Sequence, residues 1–382
     1  MAMFLMTILL FTIQGCKLDK IAETVVVRVS SYSEIKIQAL LQRHQGFSFK
    51  TKFQIGDKKY IQLNIDKPQE NVPRAEGLHR TSSSLDTDKE NGDVQPSMRI
   101  SEAWALGYTG HGIVIAIVDD GIQTRHPDLE VNVDTVNDID YFDNDDDPNP
   151  VNENDSHGTE ISGFIAAKKD NDYCTVGVAY NSTLIGVRIL GAPEIEDAME
   201  AQGLNHQINT VHIYSCSWGP NDGYGFVEPR TLAHEAFEAG IKNGRNGKGA
   251  IYVWAAGNGK INDNCNGDGY VNSIYTIAIT AVQSGKNSYY SEVCSAALAA
   301  SYGGSKTDRY LTTTTTNSSC RIDYFAGTSY ACAQASGIIA LVLQANNNLT
   351  WRDVQHLIVL TSKKHMFNDT YAKWQTNGAF KQ

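Results

Sequence analysis

Apolar positions in this chain fall into short unbroken runs separated by polar turns. Ile113-Val-Ile-Ala-Ile-Val118 is apolar throughout and mostly β-branched, the pattern of a strand buried on both faces of a parallel sheet. Comparable runs predict strands over residues 183–189, 210–214, 250–254 and 275–281. Helical periodicity alternates with them, notably over 194–204 and over 229–242. The second of these helices has Pro229 at its start and Gly244 beyond its end. This alternation predicts an α/β protein with three layers, α/β/α, around a mostly parallel, doubly wound sheet. Catalytic groups in such sheets gather beyond the carboxyl ends of the strands.

The N-terminal third reads differently. Residues 4–13 form an apolar run too short to span a bilayer, so residues 1–16 are expected to be a signal peptide. A small module follows over 17–66: a strand at 24–29, an amphipathic helix at 34–44 and a hairpin over 47–64 turning at Gly56-Asp57. This β-α-β-β unit is expected to be prodomain-like, although an ordinary binding domain fits its pattern equally well. Residues 67–98 are polar and without periodicity, a linker. The remainder, 99–382, is expected to be the catalytic domain.

Three residues carry the candidate chemistry. Asp119 closes the strand that begins at Ile113, His157 opens a helix in Asp155-Ser-His-Gly-Thr159, and Ser329 lies in the first turn of a helix entered through Phe325-Ala-Gly-Thr-Ser329. Small residues at Ala331, Ala333, Ala335 and Gly337 let that helix pack closely. A serine becomes a nucleophile only beside a base, and a helix N-terminus favours negative charge forming there. Ser329 would attack a carbonyl, His157 would carry the proton, and Asp119 would orient the imidazole. Asn258, in Trp254-Ala-Ala-Gly-Asn258, offers a side-chain amide after a strand, suited to an oxyanion hole.

Composition narrows the partners. The formal net charge of −11 argues against nucleic acid and suits a cationic substrate. No stretch could span a membrane as an integral segment. Asn-x-Ser/Thr sequons at Asn181, Asn317, Asn348 and Asn368 fit a secretory route.

On these motifs the chain resembles the subtilases, and among them the kexin/furin proprotein convertases. The matching stretches include Tyr108-Thr-Gly-His-Gly112, Asp119-Asp-Gly-Ile122 with His126-Pro-Asp-Leu129, His157-Gly-Thr159 and Ser215-Cys-Ser-Trp-Gly-Pro220. They continue with Cys265 and Asp268-Gly-Tyr270, Tyr290-Ser-Glu292 and Leu349-Thr-Trp-Arg-Asp353. The resemblance implies a calcium-dependent serine endopeptidase that cuts precursor proteins after paired or multiple basic residues in the secretory pathway or outside the cell. It also implies binding of its own propeptide.

Carried over by motif, Asp222 and Asp268 would line the primary pocket, and Ser217, Trp218 and Gly219 would pair with the substrate backbone. Asp120, with Asn154, would face a second basic side chain. Glu200, Glu228 and Tyr270, with Asp197 and Glu194 nearby, would face the one four residues before the cut. Calcium is implied at an acidic loop through Asp143, Asp147 and Asn149, at Asp222 with Asp263 and Glu292, and at Asp128 with Asn171. The resemblance pairs Cys174 with Cys320 and Cys265 with Cys294, leaves Cys216 and Cys332 free, and removes Cys16 with the signal.

The chain departs from the family at several points. Ala333 stands where these enzymes have proline, Arg80 is the nearest candidate for the maturation site, and the segment entering the catalytic domain at 96–100 is short. The chain ends at Gln382, so a truncated or partial product is expected. The alternatives are therefore an impaired relative that binds basic peptides or propeptides without turnover, and a broad-specificity subtilase. The acidic residues Glu200, Asp222 and Asp268 disfavour the last.

Overall fold

The computed structural model describes the strands within residues 18–65 by their backbone. It also describes residues 97–363, except 153, 192–194, 196, 224–225, 284–285 and 307–310. The expected signal segment, the helix at 34–44, nearly all of the linker with Arg80, and Glu194 and Asn368 lie outside the described residues.

In the N-terminal unit, β1 (Leu18–Ile21), β2 (Thr24–Val29), β3 (Phe47–Ile55) and β4 (Lys58–Ile65) make an antiparallel sheet in the order β1-β2-β4-β3. β3 and β4 pair up to Ile55 opposite Lys58, with a register shift between Phe49 and Thr51.

The larger unit is built on an eight-stranded sheet. Its strands are β5 (Val114–Asp119), β6 (Ile139–Asp140), β7 (Thr183–Arg188), β8 (Ile213–Cys216), β9 (Ile251–Ala255), β10 (Thr276–Gln283), β11 (Lys286–Asn287) and β12 (Ala299–Tyr302). They run in the order β6-β7-β5-β8-β9-β10, and β10 also pairs with β11 and β12. Every pairing is parallel except that of β11. The expected strand at 210–214 lies at β8 instead, because Thr210 and Val211 both donate to the carbonyl of Gln207 and are taken up by a turn.

The helices are α1 (Ile100–Ala105), α2 (His157–Ala166), α3 (Asp197–Leu204), α4 (Thr231–Gly247), α5 (Thr328–Ala345) and α6 (Trp351–Thr361). Regular helix in α4 stops before Gly244, where the backbone leaves helical angles. The period-two alternation of β5 sorts the core into two layers. Ile115 and Ile117 pack with Ile161 and Phe164 of α2 and Ile338 and Ile339 of α5. Ala116 and Val118 pack on the other side with Leu204 of α3 and Phe237 of α4. Three layers result.

A hairpin of β13 (Leu311–Thr315) and β14 (Ser319–Asp323) lies against α2. The hydroxyls of Thr313 and Thr314 donate to the carbonyls of Glu160 and Thr159, both at 2.6 Å. Cys174 is bonded to Cys320 and Cys265 to Cys294, while Cys216 and Cys332 are free and buried.

Candidate active site

β5 is flanked by β7 and β8, so connections leave it toward opposite edges and its carboxyl end opens a crevice. Asp119 sits there, 1% exposed, and both its carboxylate oxygens meet Nδ1 of His157, at 2.9 and 3.0 Å. Close packing of α2 on the strand end makes this possible. A Cβ on Gly158 would stand 2.2 Å from the carbonyl oxygen of Gly121, so the first turn of α2 tolerates no side chain there. Burial alone would lower the pKa of His157. The charge and hydrogen bond of Asp119, with Asp120 and Glu160 farther off, outweigh it and raise His157 to about 9.

Ser329 is the second residue of α5. Its hydroxyl donates to the carbonyl of Ser217 at 3.1 Å, so the hydrogen bond from Ser329 runs to the strand-end segment after β8 instead of to His157. The ring of Tyr330, the next residue, lies 6.4 Å from the imidazole between centroids, which keeps the two helix starts side by side. Asn258 Oδ1 accepts from the N–H of Thr328 at 2.8 Å and from its hydroxyl at 3.1 Å. That fixes the amide against the start of α5 and leaves its NH2 group as a free donor. Gly257, at φ 96°, makes the approach possible, since a Cβ there would collide with the carboxylate of Glu292.

The expected specificity residues separate into two sets. Asp268 is buried, and burial followed by the charges of Asp263 and Asp222 raises it to about 6. Glu200 is buried, accepts from the hydroxyl of Tyr270 at 3.1 Å, and is raised by burial to about 7. Asp268 Oδ1 and Glu200 Oε1 are buried without a hydrogen-bond partner, which is costly unless a cationic group meets them. Trp218 donates from its indole to the carbonyl of Val118 at 2.8 Å and packs edge-on against Trp254. Gly219, Glu228 and Asn154 are exposed.

Two expected pocket acids are occupied with the fold. Asp197 accepts from the N–H groups of Leu232 and Ala233 at 3.1 and 3.0 Å, capping α4. Asp120 accepts from the N–H groups of His157 and Gly158, capping α2. Burial, then the charge of Asp119, raises Asp120 to about 7.

The expected calcium ligands are also rearranged. Asp143 pairs with the buried Arg188 at 2.6 Å, beside Asp140, so a guanidinium already meets that end of the acidic loop. Asp147 accepts from the backbone of Asn149, whose side-chain carbonyl accepts from Thr124. Asp128 is buried and takes hydrogen bonds from Asn171 at 2.7 Å and Thr175 at 3.1 Å. Among the described residues, the carboxylates whose oxygens lie within 4.8 Å of one another are Asp263, Asp268 and Glu292. Asp222 instead accepts from the N–H of Asn258 at 2.9 Å. Glu292 Oε2 is a further buried oxygen without a partner, and burial raises this carboxyl to about 7. A hard dication fits such a set of oxygens.

Sequence reading missed Thr328 and Gly257, which aim Asn258, and Glu160, which is buried against Arg321 and Tyr330. Among the described residues no helix is long and apolar enough to cross a membrane.

A buried Asp119–His157 pair, with the helix start that carries Ser329 beside it at one rim of a doubly wound sheet, is the arrangement of a subtilisin-like α/β protein. The subtilase family model matches residues 110–378, and the chain belongs to that family. Furin of Homo sapiens is 48% identical over 296 residues, which is 75% of this chain and 37% of furin. Neuroendocrine convertase 2 of Homo sapiens is 42% identical over 302 residues, 77% of this chain and 47% of the convertase. The chain thus spans less than half the length of these relatives. A serine protease of Aeromonas sobria shares the fold with a TM-score of 0.63 at 22% identity, over 76% of this chain and 60% of that one.

Proposed function

We propose that this chain is the catalytic part of a serine endopeptidase that cleaves secretory precursor proteins after paired or multiple basic residues. The observation that carries the proposal is the Asp119–His157 pair standing beside the helix start that holds Ser329 and the fixed amide of Asn258. His157 in its neutral form takes the proton of Ser329 as the hydroxyl attacks the scissile carbonyl. Asp119 stabilises the imidazolium that results. The Asn258 NH2 group and the N-terminus of α5 stabilise the oxyanion. His157 then returns the proton to the leaving amine, and water releases the acyl group by the same steps in reverse.

The substrate's basic side chains meet the unpartnered oxygens of Asp268 and Glu200, and charge-assisted bonds offset the cost of their burial. The chain's own propeptide, with Arg80 the nearest candidate maturation site, is the other partner this reading implies. Asp263, Asp268 and Glu292 would hold calcium. When bound, the ion supplies positive charge that lets these carboxyls ionise and steadies the 257–259 turn, to which Glu292 is tied through the N–H of Gly259.

A second reading rests on the bond from Ser329 to the carbonyl of Ser217: a relative that binds basic peptides without cutting them. A fluorogenic Arg-x-Lys-Arg peptide, assayed with and without calcium beside a Ser329→Ala control, separates the two. Calcium-dependent turnover that the control lacks supports the endopeptidase. Binding with no turnover supports the second reading, and turnover indifferent to basic residues sinks both.

A further inference from the structure

Glu160 lies one helical turn beyond His157 on α2 and is 2% exposed. A buried carboxylate is retained only where donors surround it, and four side chains do so here. Its Oε2 accepts from Arg321 of β14 at 2.5 Å and from the hydroxyl of Tyr330 at 3.2 Å. Its Oε1 accepts from Ser156 at 3.0 Å and Thr315 at 3.5 Å. Tyr330 directly follows Ser329, and Ser156 directly precedes His157. The cluster therefore ties together the residue beside the nucleophile and the residue beside the base. Arg321 also stacks over the ring of Phe325, 4.2 Å from its centroid, in the strand-to-helix entry leading to Ser329.

We infer that Glu160 and Tyr330 are positioning residues, a buried brace that sets the approach of His157 to Ser329. The inference rests on the endopeptidase reading above for its kinetic consequences but not for its geometry. Neither residue touches the reacting atoms. A small displacement between base and nucleophile is enough to slow proton transfer strongly. Around His157 the charged and titratable groups are Asp119 and Asp120 at the end of β5, Glu160 on α2, Arg321 on β14 and Tyr330 on α5.

The test compares Tyr330→Phe, Glu160→Gln and the double variant with the parent chain. Each substitution keeps side-chain volume, and Arg321 is partly exposed, so folding is expected to survive. Each single variant should lower kcat about tenfold with KM within about twofold. The double variant should lose little more than the worse single one, as expected for partners in one contact. Removing the Glu160 charge should also move the acidic limb of the pH profile, and the NMR titration of the His157 imidazole, to lower pH. Unchanged kcat and an unchanged His157 titration, with only the melting temperature lowered, would overturn the inference. If the parent cleaves no basic peptide, the endopeptidase reading fails by itself. The imidazole titration in Glu160→Gln then decides the brace, and a titration identical to the parent's overturns it.

Discussion

Asp120 accepts the backbone N–H of His157 at 3.0 Å, while its other oxygen accepts that of Gly158 at 2.6 Å. One carboxylate thus caps the helix that presents the base and adds negative charge beside it. Asp120→Asn keeps the shape but removes the charge that favours the imidazolium, so His157 should lose its proton more easily. The acidic limb of kcat/KM is expected to move to lower pH. A basic peptide assayed across a pH series checks this. A limb that stays put would mean the capping charge does not reach the base.

Asn258→Ala removes the one side-chain amide held against the start of α5. Losing one oxyanion donor generally lowers kcat by about 10²–10³, and KM should change little because the group acts on the transition state. Steady-state kinetics on a basic peptide give the answer.

Glu200 offers a stability prediction with a definite sign. Its folded pKa, raised by burial to about 7, lies above the ~4.3 of a free glutamate. Stability held by the neutral carboxyl is therefore fully present below about pH 4 and is lost as pH rises through 7. Glu200→Gln should be neutral near pH 4 and stabilising at pH 8, by on the order of 1–3 kcal/mol. Denaturant unfolding at the two pH values measures it. A variant equally stable relative to the parent at both would remove the basis for the claim.

Calcium should raise the unfolding free energy by about 2–3 kcal/mol at a hundredfold excess over Kd. Glu292→Gln should weaken binding in calorimetry, whereas Asp143→Asn should not, because Asp143 answers Arg188. Equal weakening by both variants would return the acidic loop to consideration.

The sheet was legible because each buried strand is a closed apolar run between polar turns, and β5, β7, β9 and β10 lie within one or two residues of expectation. Elements stabilised by contacts made far along the chain were not. The run from Leu311 to Thr315 looks polar. Thr313 and Thr314 are buried because their hydroxyls reach carbonyls of α2, and nothing local announces that partner. The same applies at the site. Strand and helix ends placed Asp119, His157, Ser329 and Asn258, but acids divide by what they meet in space. Asp197 and Asp120 went to backbone N–H groups, Asp143 to a guanidinium, and Asp268 and Glu200 keep unpartnered oxygens. Similarly, the bond between Cys174 and Cys320 spans 146 residues, beyond anything spacing could choose.

That long bridge has a consequence for how the molecule comes to life. A ribosome delivers Asp119 and His157 early, yet Cys320 and Arg321 of β14 and Tyr330 of α5 arrive about 160 residues after His157. Until then α2 has no counter-ion for Glu160 and no neighbour bearing a hydroxyl to activate. A half-made chain therefore carries the Asp119–His157 pair without the serine that comes to lie beside it.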